Sequence, residues 1–483
     1  MLMKLNIARR AKHFIDGRWV EPRSDKRRQL INPATEEPAG TIAVGTVEEI
    51  DDAVRAARIA FPAWANLPRA ERIALFEHAI QALQHRHEEL ALAITTEMGA
   101  PLALSNGVQA MAGVWHMGVA LELLKSYSFE ESLGTTLVAR EPIGVCAIIT
   151  PWNWPLNQLV CKVAPALAAG CTVVVKPADL SPLSAMLFAE CLEEAGFPKG
   201  VFNLVTGPGA VLGKALAAHP DIDMVSFTGS TGAGVQIALD AAPTVKRVSQ
   251  ELGGKSANIL LDDASFANAV AQGVASCFSN SGQSCVAPTR MLVPYSRLDE
   301  ACAIAAQVAA QTVVGDPLDI SSTIGPVASQ KQFDTIQRYI EIGIAEGATL
   351  VAGGAGRPDG LARGYYVKPT VFANVTPEMT IAKEEIFGPV LSIIGYETDD
   401  DAIRIANDSQ FGLSGYVTSV DVDRARAIAR RMRTGMVHIN GAAPDLFAPF
   451  GGYRQSGNGR EWGKYGLEEF MEVKAIMGYN AQT

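Results

Sequence analysis

The run Val145-Cys-Ala-Ile-Ile-Thr150-Pro-Trp-Asn153-Trp-Pro155 decides the fold. An unbroken apolar stretch ends on a stiff turn that carries two prolines and two tryptophans, and apolar residues at helical spacing follow over 156–169. A short apolar run bounded by turn residues fits a strand buried on both faces. The pattern then repeats, with a strand at 172–176, a helix at 184–195, a strand at 202–206, a helix at 209–218 and a strand at 224–227. Strand–helix–strand repetition predicts an α/β chain with a doubly wound, largely parallel sheet and a ligand at the C-terminal strand ends.

A second alternating region runs from about 258 to 437, broken by Gly/Pro-rich segments at 353–360 and 388–389, and reads as a second α/β domain. Upstream, 12–20 reads as extended. The segments 47–65 and 69–98 carry apolar residues at helical spacing, among them Ile50, Val54, Ala57 and Phe61, then Ile73, Phe76, Ile80 and Leu83. Pro68 precedes the second segment, where a missing N–H costs little. The segments 127–140 and 470–479 read as strands detached from both units.

At 483 residues the chain is too long for one ordinary core, so two or three domains are expected. Its 48% hydrophobic and 19% charged residues belong to a well-buried globular protein. A net charge of −10 disfavours nucleic acid and anionic membranes as partners. The clusters Arg9-Arg10 and Lys26-Arg27-Arg28 read as solvated surface. The N-terminus lacks the apolar core of a signal peptide. The apolar stretches at 164–169 and 171–175 fall short of the roughly 18–20 residues that span a bilayer. Seven cysteines without a CxxC pair or a Cys/His cluster predict no metal and no disulfide framework, and a cytoplasmic home. Cys277 and Cys302 are expected to pack.

Chemistry gathers elsewhere. Cys285 closes Phe278-Ser-Asn-Ser-Gly-Gln-Ser-Cys285, flanked by small and polar residues where a packing cysteine would have apolar neighbours. Glu251, in Glu251-Leu-Gly-Gly-Lys-Ser, offers a general base for a hydrolytic step. Asn153 is the only side-chain amide of its stiff turn, suited to donate to an oxyanion or to cap a helix. Gly229-Ser-Thr-Gly232-Ala-Gly234 follows a strand, as a phosphate-binding turn or an ordinary connection would. Lys176-Pro-Ala-Asp179 follows another strand end, fit for ribose hydroxyls or for a solvated loop.

Taken in order, Thr150-Pro-Trp-Asn153, Lys176-Pro-Ala-Asp179, Phe227-Thr-Gly229-Ser230-Thr, Glu251-Leu-Gly-Gly254-Lys, Gly282-Gln-Ser-Cys285, Glu384-Glu385-Ile-Phe387-Gly-Pro389 and Pro449-Phe-Gly-Gly452-Tyr-Arg-Gln-Ser-Gly457 resemble the NAD(P)-dependent aldehyde dehydrogenase superfamily over essentially the whole chain. The resemblance implies a Rossmann-type cofactor domain (1–124 and 141–252), an α/β catalytic domain (253–453) and a β oligomerisation arm (125–140 and 467–483). It implies a homodimer or homotetramer acting on a small aldehyde. Cys285 would be the nucleophile, Glu251 the base that activates water, and Asn153 with the Cys285 backbone N–H the oxyanion hole. Thr150, Trp152, Lys176, Asp179, Gly209, Gly229, Ser230, Leu252, Gly253, Glu385 and Phe387 would bind the cofactor. Trp154, Asn157, Gln158, Cys161, Ser284, Val286 and Phe450 would line the substrate tunnel.

The implied reaction converts an aldehyde to the carboxylic acid through a thiohemiacetal and a thioester on Cys285. Asp179 stands where many NAD-preferring relatives carry Glu. Its charge should still repel a 2′-phosphate, so NAD is expected and NADP stays open. Cys161 stands where succinate-semialdehyde-type relatives often carry Arg and betaine-aldehyde-type relatives an aromatic. A neutral aliphatic or aromatic aldehyde is therefore expected, with a charged semialdehyde as the alternative; the 442–447 loop could contribute Asp445 to the tunnel. A CoA-acylating enzyme commonly lacks the Glu found here at 251, and a non-catalytic relative would be expected to have lost Cys285.

Overall fold

The structure, a computed structural model, describes residues 11–480. The parts of the expected domain and arm at 1–10 and 481–483 lie outside the described residues. Eight strands form the first sheet, in the order Gly457–Asn458, Arg247–Glu251, Met224–Thr228, Val145–Ile149, Thr172–Lys176, Phe202–Leu204, His13–Ile15, Arg18–Val20. The five from Arg247–Glu251 to Phe202–Leu204 run parallel, and antiparallel strands close both edges.

Every residue of Val145–Ile149 is buried, because alternation sends its side chains into two cores. Cys146 and Ile148 pack on one face with Leu159, Val163 and Val173. Val145, Ala147 and Ile149 pack on the other with Ile50, Val54 and Ala57 of the Val47–Ala65 helix. Each fully buried Val or Ile there stabilises the fold by about 1.5–3 kcal/mol. Strand order reverses at Val145–Ile149, which lies between Thr172–Lys176 and Met224–Thr228. The C-terminal ends of these strands open a crevice at that reversal, the usual ligand position in such a sheet.

The second sheet orders Thr349–Ala352, Thr370–Ala373, Val390–Tyr396, Arg290–Pro294, Ala257–Leu260, Ser414–Thr418 and Met436–Ile439. Only the Thr349–Ala352 edge is antiparallel. The chain passes from one sheet to the other through 252–256, between Arg247–Glu251 and Ala257–Leu260. A third sheet joins Met471–Ile476, Thr136–Pro142 and Glu130–Leu133, as the detached strands of the sequence anticipate. Its Glu130–Leu133 edge is exposed at every residue.

Three local expectations are corrected. The 69–98 helix is two, Arg69–His85 and His87–Met98, broken at Arg86 (φ −99°, ψ 15°), whose guanidinium turns to Glu89 and Glu194. The extended 12–20 segment is a hairpin about Asp16-Gly17, both at positive φ as tight hairpin turns require. The 209–218 helix begins as a wider turn at Gly209–Gly213 before Lys214–Ala218. Arg247–Glu251 escapes notice in the sequence because its residues are mostly polar, although its last three are buried. Among the described residues no helix is long and apolar enough to cross a membrane.

Candidate active site

A cavity of about 450 Å³ lies between the C-terminal edge of the first sheet and the second sheet. Trp152, Asn153, Thr228, Gly229, Leu252 and Gly253 line it from the first side; Cys285, Glu385 and Phe387 line it from the second. Cys285 reaches it on a left-handed turn, with φ of 53° at Asn280, 56° at Ser281 and 72° at Gly282. Each non-glycine residue so placed costs roughly 1–2 kcal/mol. Gly282 also has no room for a side chain, since a Cβ would sit 2.0 Å from the Gly388 carbonyl oxygen.

The turn is held by fixed hydrogen bonds. Asn280 Nδ2 donates to the Asn153 carbonyl (3.0 Å), and Asn153 Nδ2 donates to the Gln283 carbonyl (3.0 Å). Gln283 Nε2 donates to the Asn280 carbonyl (3.1 Å), while its Oε1 accepts from Ala328 N (2.8 Å). Trp154 Nε1 donates to Ser284 Oγ (2.8 Å), and Tyr416 OH to the Val286 carbonyl (2.9 Å). The Asn153 turn and the Cys285 turn are thereby one rigid unit, and the amide bond to Gln283 leaves Asn153 a second N–H.

Although solvent reaches Cys285, the atoms packed around its thiol raise its pKa, and the charges of Glu385, Glu251 and Glu461 raise it further. Glu251 is buried, and neither carboxylate oxygen has a hydrogen-bond partner among the described residues. Burial, then the charge of Glu461, holds its pKa well above 4.5. Glu461 forms a buried ion pair with Lys162 and accepts from Cys161 Sγ (3.3 Å). Glu385 accepts from Gly254 N (2.9 Å), and burial pushes its pKa up to about 7. Gly253 permits this approach, because a Cβ there would meet Glu385 Oε2 at 2.4 Å. Phe387 is at φ 59° and meets Trp152 edge-on at 5.5 Å, while Gln332 Nε2 clamps its carbonyl (3.0 Å).

At the far end, Ser230 caps the Thr231–Ala241 helix by accepting from Ala233 N (3.4 Å). Thr228 Oγ1 is buried with no hydrogen-bond partner among the described residues. Thr150 N donates to the Lys176 carbonyl (3.2 Å), which ties two strand ends together. Lys176 is buried, its Nζ 3.7 Å from Asp179 Oδ1 and donating to the Pro177 carbonyl (2.9 Å). Gly209 stands beside it, a notional Cβ lying 3.9 Å from Lys176 Nζ.

The expected tunnel residues divide. Trp154, Ser284 and Val286 flank the Cys285 turn, and Gln158 lines the same cavity as Cys285. Asn157 Oδ1 meets His116 Nε2 at 2.8 Å; the His116 ring lies 5.5 Å from Trp462, and Trp462 lies 4.5 Å from Phe450. Burial lowers the His116 pKa to about 4, so this ring is neutral at pH 7. Cys161 departs from expectation, because its thiol turns to the Lys162–Glu461 pair. Asp445 is exposed and its carboxylate caps its own loop, accepting from Phe447 N (2.9 Å).

Sequence reading missed Lys162, Glu461, His116, Trp462 and Arg28. For Lys162 a signal existed: a lysine within the apolar 156–169 helix needs a buried partner. Arg28, read as solvated surface, bridges Asp179 Oδ2 at 2.9 Å.

The pattern of the Aldehyde dehydrogenase family matches residues 19–476. The chain is 57% identical to 3-succinoylsemialdehyde-pyridine dehydrogenase of a Pseudomonas species, over 96% of this chain and 98% of that one. The crystal structure of a cysteine-to-alanine mutant of aldehyde dehydrogenase C from Pseudomonas syringae, with NAD+ and octanal, superposes with a TM-score of 0.98 at 52% identity, covering 99% of each chain. Betaine aldehyde dehydrogenase from Staphylococcus aureus, with NAD+, gives 0.94 at 37% identity, covering 98% of this chain and 96% of that one. With a match this long laid over a cysteine turn, an amide and an unpartnered carboxylate gathered at one cleft, the chain belongs to the aldehyde dehydrogenase family.

Proposed function

We propose that this enzyme oxidises an uncharged aldehyde to its carboxylic acid with NAD, using Cys285 as nucleophile, Asn153 as oxyanion donor and Glu251 as base. The observation that carries the reading is the reciprocal bonding of the Asn153 and Cys285 turns beside a carboxylate with no fixed partner.

The cleft fits a dinucleotide. Buried Thr228 Oγ1 and Asp179 Oδ1 lack hydrogen bonds among the described residues, Ser230 opens a helix N-terminus suited to phosphate, and Glu385 is fixed for a ribose. Phe387 and Trp152 form an aromatic wall for the nicotinamide. Complexes of similar enzymes with NAD+ support the same cofactor here. When bound, it supplies the hydride acceptor.

The chain's own residues do the rest. Cys285 gives up its thiol proton to water in the cleft, its Sγ bonds to the carbonyl carbon, and the oxyanion takes the spare Asn153 N–H and the Cys285 backbone N–H, worth about 3–4 kcal/mol per donor in comparable sites. Oxidation leaves a thioester on Cys285. Glu251 takes a proton from water, the hydroxide adds to the thioester carbon, and the acid leaves as the C–S bond breaks and the thiolate is restored. A carboxylate of raised pKa is the stronger base for that proton transfer from water.

Trp154, Phe450, Trp462 and neutral His116 offer an aldehyde an apolar and aromatic environment, while the charges beside Cys161 are paired as Lys162–Glu461 and Asp445 caps its own loop. The pyridine-bearing semialdehyde and the octanal named for the Pseudomonas proteins support an uncharged substrate. Residues 1–124 and 141–252 would carry the cofactor, 253–453 the catalytic turn. The arm of 125–140 and 467–483, with Val473 and Met477 exposed, would join subunits into a homodimer or homotetramer. Initial rates with NAD against short and long aliphatic, aromatic, succinate-type and betaine-type aldehydes test the reading. Neutral aldehydes are expected to be turned over fastest; a preference for either charged one would overturn it.

A further inference from the structure

The Arg27–Asn32 strand pairs with Glu37–Ala43 in a two-stranded hairpin that leaves Arg28 on its exposed face. The hairpin is fastened to the cleft, since Gly45 N donates to the Thr206 carbonyl (2.8 Å), three residues before Gly209. From this platform Arg28 Nη1 reaches Asp179 Oδ2 at 2.9 Å, across 151 residues of sequence. The Asp179 side chain is only 11% exposed, while that of Arg28 is 45% exposed. Asp179 Oδ1 is buried without a hydrogen-bond partner among the described residues, and Lys176 Nζ stands 3.7 Å away. Leu180, the next residue, lines the dinucleotide cavity with Ser230.

A lone carboxylate at this place would repel a 2′-phosphate. Here it sits between two cations, so the cluster of Lys176, Asp179 and Arg28 carries one net positive charge. Unpartnered Oδ1 can accept from a ribose hydroxyl. The exposed guanidinium keeps donors that Asp179 does not use, and a 2′-phosphate of about −1.5 to −2 charge matches that fork well.

We propose that Arg28 is a cofactor-selecting residue: by neutralising Asp179 and presenting the donors that Asp179 does not use, it lets the ribose pocket take a 2′-phosphate as well as a 2′-hydroxyl, so that the enzyme uses NADP alongside NAD. The proposal rests on the reading of the cleft as a dinucleotide site.

Calorimetric titration of the full chain with NAD, NADP, 5′-AMP and 2′,5′-ADP tests it without turnover. Wild-type protein is expected to bind NADP and 2′,5′-ADP. In Arg28→Gln the ratio Kd(NADP)/Kd(NAD) is expected to rise at least about tenfold, with a parallel rise for 2′,5′-ADP over 5′-AMP. Arg28→Lys, which keeps the charge and loses the fork, should fall between. An unchanged ratio in Arg28→Gln overturns the proposal, as does wild-type binding of NAD without NADP; in both cases the dinucleotide reading survives. If no dinucleotide or fragment binds wild-type protein, that reading falls and the proposal with it.

Discussion

At the catalytic end of the cleft, Asn153, Asn280 and Gln283 are fixed by amide-to-carbonyl hydrogen bonds within buried turns. At the end proposed for the ribose, Lys176, Asp179 and Arg28 meet through side-chain charges, one of them half in water. The first arrangement must hold an oxyanion donor to within a few tenths of an ångström, and buried backbone bonds supply that rigidity. The second would match charge to a ligand that differs by one phosphate, and a half-exposed guanidinium is suited to that. On the proposed roles, geometry is locked where bonds would be made and adjustable where the cofactor would be chosen.

Substitutions at the locked end should cost far more than those at the adjustable end. Cys285→Ala is expected to lower aldehyde turnover by more than about 10⁴-fold while calorimetric binding of NAD persists; loss of both together would mean the turn, and not the thiol, had been tested. Glu251→Gln should slow steady-state turnover by about 10²–10⁴-fold and leave a one-equivalent burst of NADH in stopped-flow absorbance. Glu251 works as the carboxylate, and burial with Glu461 nearby raises its pKa. The wild-type rate should thus climb with pH along a limb well above pH 4.5, and the Gln variant should lack that limb. Asn153→Ala is expected to lower kcat by about 10²–10³-fold, with a smaller change in KM for the aldehyde. Gly253→Ala would press a Cβ toward Glu385 Oε2, 2.4 Å away, and overpacking of about 1–3 kcal/mol should raise KM for NAD roughly tenfold.

The same division decides what was legible in the sequence. The Val145–Ile149, Thr172–Lys176 and Met224–Thr228 strands are wholly buried, so their apolar runs announce them, and the turns that follow carry their motifs within a few residues. Asn153 falls in such a turn, whereas Cys285 and Gly253 are legible from the short motifs around them. Arg28 and Glu461 are not: each is joined to its partner across a long stretch of chain by a side-chain contact that no local spacing encodes. His116 and Trp462 were hidden for the same reason, since they meet only after the Ala110–Ser126 helix packs beside the Gly463–Glu469 helix. The break at Arg86 was hidden because the helical periodicity continues on both sides of it.

The most direct test of the central claim is intact-protein and peptide mass spectrometry of Glu251→Gln after mixing with NAD and a neutral aldehyde such as hexanal. With hydrolysis slowed, the protein should gain the mass of one acyl group in place of one hydrogen, located on Cys285. No acyl adduct, or an adduct on another thiol such as Cys161 or Cys302, would contradict it.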